Sequence, residues 1–218
     1  MSRTTRPDRI AGRSRQSRVA HTTAPPPSAA LAGWETSVDA ALSQLEHAHR
    51  AVGGTHSGRR TNTLQLNYAF VLLLSAHFQA FCRDLHSEAV EHLRDAVELD
   101  IGDMLAANLT RYRQLDSRNA QPASIGADFD RFGFAFWRVV QAADARNANR
   151  RVKLERLNEW RNAIAHHEID ARRVSLDPNQ VTLAACRRWR SALDGLARSF
   201  DMVVAAHLHQ ILRTRSWR

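Results

Sequence analysis

The chain has 218 residues, enough for one domain of ordinary size plus a tail, and its net charge of +9 favours an acidic partner such as nucleic acid or an anionic membrane surface. Lys153 is the only lysine, so the excess is arginine, whose fork fits phosphate bidentately and stacks on bases; a codon bias against lysine gives the same composition. Two distant cysteines, Cys82 and Cys186, with no C-x-x-C exclude a disulfide framework and make a reduced, cytoplasmic setting the default.

Residues 1–30 come first, with six arginines against the single acid Asp8, then Pro25-Pro26-Pro27. Five of the nine net charges therefore sit where there is almost nothing to bury, which predicts a disordered basic arm attracted to polyanions. The arm has no apolar core of a secretory signal, and it lacks the amphipathic helix of a transit peptide. From Trp34 to residue 217 the pattern predicts one helical domain. Helices are expected near 34–52, 62–97, 98–115, 127–145, 147–168 and 180–213. Gly53-Gly54 and Ser57-Gly58 separate the first two, Gln121-Pro122 lies in the loop before the fourth, and Asp177 before Pro178 suits the start of the last. Arg173–Leu176 is the only strand candidate, so the expected fold is an all-α antiparallel bundle. The longest apolar stretch, Tyr68 to Ala76, is too short to span a bilayer and reads as a core helix.

In the second helix Phe78, Phe81, Cys82 and Leu85 form the core stripe, leaving His77, Gln79 and Asp84 as polar edges. Either these are ordinary edge residues, or one of them reaches across to fix an arginine in the fifth helix. That helix ends in Trp160-Arg161-Asn162-Ala163-Ile164-Ala165-His166-His167. Chance alone supplies about one or two Arg-x4-His pairs in such a composition, and this is the only one present. Its placement adds more than its spacing does. At 100° per residue, Leu154, Leu157 and Ile164 share an arc that contains Arg161, while Asn158, Asn162 and His166 run along its polar border. An arginine on a core arc must snorkel or find a carboxylate or phosphate. The plainer alternative is a capped helix end, with His166 and His167 beside the C-terminal dipole.

Basic residues cluster around this segment. Arg150, Arg151, Lys153, His167, Arg172 and Arg173 are the candidate RNA contacts, with Arg146 and Arg156 alongside, opposed by Glu155, Glu159, Glu168 and Asp170. The alternative is a solvated face laced with i,i+4 pairs such as Arg151 with Glu155. No metal and no cofactor are expected. His47/His49 and His207/His209 fall on different helix faces, H-E-x-x-H is absent, and residues 53–60 lack the lysine and the preceding strand of a phosphate-binding loop.

Arg161-Asn162-Ala163-Ile164-Ala165-His166 resembles the signature of HEPN domains, an arginine, usually a polar residue, and a histidine after four to six intervening positions. The Tyr68–Leu85 helix and the closing helix Leu196–Leu208 are similar to those of the RiboL-PSP-like group, so the resemblance covers about residues 35–217. It implies a HEPN-type bundle that forms a homodimer, joins two Arg-His motifs in one cleft and cleaves RNA without metal, often in toxins, phage defence or RNA processing. By position, Arg161 would orient the scissile phosphate, His166 would move protons and Asn162 would position its neighbours. An antitoxin or regulatory partner belongs to such systems. Gln79 stands where relatives often carry an acid, with Asp84 the fallback as partner of Arg161. Some HEPN domains cleave nothing and bind RNA or protein, which is the second reading.

Overall fold

The computed structural model describes residues 26–53, 61–166, 180–213 and 217. Among them every element is helical: α1 Ala29–Gly53, α2 Thr61–Asp95, α3 Leu99–Thr110, α4 Gln114–Ser117, α5 Pro122–Phe129, a 3-10 turn Asp130–Phe132, α6 Phe136–Ala143, α7 Arg146–Ala165 and α8 Leu183–Leu212. No described helix is long and apolar enough to cross a membrane. Residues 1–25, most of the expected arm, lie outside the described residues, as do His167, Arg172, Arg173, the strand candidate and Asp177-Pro178.

The long helices run antiparallel where they are neighbours in sequence. Ala29 and Ala30 of α1 donate to the Glu88 carboxylate of α2, whereas Ser37 meets His77, so the two helices run in opposite directions. Likewise Glu35 pairs with Arg198 and Glu46 with Arg187, which sets α1 antiparallel to α8. Sequence periodicity dictates this arrangement. The expected stripe of Phe78, Phe81, Cys82 and Leu85 is buried, and Trp34, Phe129, Phe136 and Phe200 close around it. Phe129 stacks on Phe136 at 4.5 Å and Phe200 meets Phe136 edge-on at 4.9 Å, so short α5 and α6 plug one flank of the bundle.

Several boundaries differ from the sequence expectation, each for a local reason. The first helix starts at Ala29 rather than 34, because Ser28 is fully buried, its Oγ accepts from Leu31 N, and its own N–H donates to Asp201. The expected helix 98–115 stops at Thr110, where Tyr112 turns to φ 57°. The expected helix 127–145 is broken by Gly133 at φ 89°, after which the Asp130 carboxylate caps α6 at Phe136 N. The last helix begins after Thr182, whose hydroxyl accepts from Ala185 N. Gly102 lets α3 cross close to α2, since a Cβ there would lie 2.6 Å from the Arg94 carbonyl oxygen.

Candidate functional site

Helix α7 is fixed from beneath. Leu154, Leu157, Trp160 and Ile164 are buried, with Trp160 at 0% exposure, so the direction of every other side chain on the helix is set. Trp160→Ala alone would cost about 3–5 kcal/mol. Arg161 falls between the core positions and is half-buried, Asn162 is half-buried beside it, and His166 is exposed as the C-cap residue of the helix. The N–H of His166 donates to the Asn162 carbonyl at 3.0 Å, which carries the last turn up to the imidazole.

The facing wall is the segment 117–121 between α4 and α5. Four bonds hold it. Both oxygens of the buried Asp128 carboxylate accept from the start of α4, from Gln114 N and Leu115 N at 2.8 Å each. Gln79 Nε2 donates to the carbonyls of Leu115 and Arg118 at 3.1 and 2.9 Å. Asn158 Nδ2 donates to the Ala120 carbonyl at 3.1 Å and so ties the wall to α7. Asn119 Nδ2 then reaches Asn162 Oδ1 at 2.7 Å, and Arg161 Nη1 donates to the same oxygen at 3.2 Å.

Between the two walls lies an open depression of about 590 Å³, with Ser117, Arg118, Asn119 and Gln121 on one side and Arg161, Asn162 and His166 on the other. Among the described residues no carboxylate lines it. Arg161, Asn162 and His166 therefore share one concave, basic surface. Among the described residues the arginine on the core arc meets no carboxylate; its partner is a neutral amide.

Other sequence candidates are distributed differently. Gln79 makes no hydrogen bond to Arg161; its amide is used on the opposite wall. Asp84 is exposed on α2, and among the described residues no bond joins it to Arg161. His77 turns toward α1, where its Nδ1 lies 3.4 Å from Ser37 Oγ. Arg150 is committed to packing: its guanidinium donates to Asp144 at 2.8 Å and Asn147 at 2.7 Å, and it fills the space that a Cβ on Gly195 would occupy. Hydrogen bonds from Arg146, then those from Arg150, hold the Asp144 carboxyl well below the usual carboxylate range.

Arg151 lies over the Trp137 ring at 4.9 Å and lines a second hollow of about 330 Å³, which shares Gln121 and Asn162 with the first. Glu155 and Glu159 border this hollow, engaged by Arg151 at 3.6 Å and Arg156 at 2.7 Å. Lys153 belongs to a third hollow of about 440 Å³ on another face of α7, with Arg156, Arg188 and Trp189. The expected basic surface is thus divided between faces of the same helix.

Arg118, Asn119 and Asp128 were not singled out by the sequence. Residues 117–122 read only as a polar loop before a proline, and nothing local shows that this loop faces residue 162. Compared with known proteins, the chain matches no family model, no curated protein and no solved structure. Among the described residues no three His, Cys, Asp or Glu side chains gather as a metal site.

Proposed function

We propose that this protein is a metal-independent endoribonuclease of HEPN type, acting as a homodimer whose paired depressions form one RNA cleft. The observation that carries the proposal is that Arg161, Asn162 and His166 line one basic concavity, although Arg161 lies on the core arc of its helix. RNA supplies its own nucleophile. The 2′-hydroxyl attacks phosphorus and gives its proton to a base. The P–O5′ bond breaks, and O5′ takes a proton from an acid. The products are a 2′,3′-cyclic phosphate and a 5′-hydroxyl. Imidazole does proton work near neutral pH, and a guanidinium holds the non-bridging oxygens as negative charge grows. One depression brings one described histidine, His166, so a symmetric pair supplies the two proton carriers that the reaction uses. A toxin or phage-defence effector, restrained by an antitoxin or regulatory partner, is the setting that the resemblance implies.

The second reading is a non-catalytic RNA-binding or interaction module. Gln79 favours it, because that side chain is spent on loop carbonyls and gives Arg161 no acidic partner.

The experiment is incubation of the purified full chain with total RNA in excess chelator, with end-group analysis of the fragments. We expect cleavage that persists without divalent metal and leaves 5′-hydroxyl ends. His166→Ala should lower the rate about 100- to 10,000-fold at unchanged helical content, and Arg161→Lys should also be severely impaired because an ammonium lacks the fork. Mixing His166→Ala with Arg161→Ala protomers should restore at most one intact set of groups. Ends bearing 5′-phosphate, or loss of activity with chelator, reject the mechanism. A fully active monomer rejects the shared cleft, and binding without any cleavage leaves the second reading.

A further inference from the structure

We infer that the Asn162 carboxamide is itself a ligand for a phosphate oxygen, oriented for that task by Asn119, and that Arg118 is the second cation of the same phosphate site. The inference rests on the function proposed above in taking the ligand as an RNA phosphodiester. The geometry starts from Arg161. A guanidinium only donates, so the Asn162 atom that Nη1 meets at 3.2 Å must be the carbonyl oxygen. That settles which end of the amide faces Arg161, and it obliges Asn119 to present its N–H to the same oxygen, at 2.7 Å.

Both lone pairs of Asn162 Oδ1 are then engaged, and its Nδ2 carries two N–H donors for which no described residue is an acceptor. Asn162 stands at the edge of the 590 Å³ depression. Its free donors join those of Arg161, Arg118 and the His166 ring around a space that no carboxylate lines among the described residues. A group surrounded by donors and cations is an oxyanion, and the two non-bridging oxygens of a phosphodiester meet both walls at once.

Arg118 suits the part by its construction. Its carbonyl is clamped by Gln79 at 2.9 Å, whereas its side chain is exposed and has no ion pair among the described residues. The backbone is held while the guanidinium can close on a bound strand. Asn119 is a positioning residue in this scheme: it acts through Asn162 and not on the phosphate.

The test is affinity for a short 2′-fluoro RNA, which lacks the nucleophile and so cannot be cut by 2′-oxygen attack, measured with the full-length chain alongside thermal melting. Asn162→Asp keeps an oxygen facing both Asn119 and Arg161 but replaces the free N–H donors with a charged acceptor; Asn162→Ala removes both ends. A phosphate ligand predicts the affinity order wild type, then Ala, then Asp, with Asp at least tenfold below wild type, while the melting temperature of Asp equals or exceeds that of wild type. A mere tether predicts the reverse, with Asp better than Ala in binding, and that order overturns the inference. Arg118→Ala should weaken binding about tenfold and lower kcat/KM on cleavable RNA by at least as much; unchanged affinity removes Arg118 from the site. Asn119→Ala should weaken binding in the wild-type background and add nothing in the Asn162→Ala background, because it acts through that residue. Multiplicative losses would make Asn119 a structural residue only. Binding needs no chemistry, so the two proposals fail separately. The predicted order without any cleavage sinks the nuclease and keeps the phosphate site, whereas cleavage with Asp equal to Ala does the opposite.

Discussion

His86 shows how far a single side chain is governed by residues remote in sequence. It lies on the core edge of α2 at 0% exposure, with Phe129 and Phe132 rings at 5.4 and 4.9 Å and Arg113 Nη1 3.5 Å from its Nδ1. Burial first, and then the Arg113 charge, push its pKa down to about 4. The sign of the consequence follows. An unfolded histidine takes a proton below its ordinary 6.5, while the native one refuses it until about 4. Stability is therefore complete above pH 6.5 and is lost as pH falls toward 4, by on the order of 3 kcal/mol. In urea titrations His86→Phe should lose much less stability than wild type between these two values. Parallel losses in both proteins would show that other groups carry the effect. Cys82, Leu85 and Ala89 do place residue 86 beside the core stripe in the sequence. Whether it is closed over depends on α5 and the turn after it, which the sequence does not place. Arg161 follows the same logic: its position on the core arc was legible, but its amide partnership with Asn162 and Asn119 depends on a loop far along the chain.

At the scale of elements, legibility followed the strength of the apolar period. Helices α2, α7 and α8 carry long buried stripes and appear close to the expected ranges, α8 starting somewhat later. The span 98–145 was expected as two helices and folds instead as several short ones, because its breaks come from Tyr112 at positive φ, from Gly133 and from carboxylate caps. Asp128 capping α4 is a contact between separate elements and leaves no periodic trace. These short elements form the facing wall of the depression, so the half of the candidate site on α7 was readable and the half at 117–121 was not. Gln79 tests the difference directly. If it belonged beside Arg161, Gln79→Glu would supply an ion pair and leave cleavage intact or improved. Because it donates to two carbonyls, a carboxylate there has nothing to donate and faces two acceptors. Gln79→Glu is thus expected to lower both melting temperature and RNA cleavage more than Gln79→Ala, which itself loses two bonds of about 1 kcal/mol each. Higher activity in the Glu variant would restore residue 79 to the neighbourhood of Arg161.

For the whole molecule the issue is how charge and fold are joined at the N-terminus. The basic segment ends where the bundle begins, and the junction is specific: Ser28 N–H donates to Asp201, Ser28 Oγ accepts from Leu31 N, and Glu88 receives Ala29 N and Ala30 N. Burial raises the Asp201 carboxyl above its usual range, and the Ser28 contacts draw it partly back. Removal of residues 1–25 leaves all of these bonds in place but deletes six arginines and one aspartate. Removal of residues 1–30 also takes the cap and the buried Ala30, and strands a carboxylate of 8% exposure. The longer truncation should therefore cost on the order of 3 kcal/mol, about 5–10 °C in Tm for a chain of this size. The shorter one should melt with the full chain. Both should bind RNA more weakly, with a logarithmic salt dependence shallower by up to about 3, as expected when some five charges no longer displace counterions from a single strand. Equal melting of the two truncations would contradict the structural junction at Ser28. A salt slope unchanged from the full chain would confine RNA attraction to the helical bundle and its basic hollows.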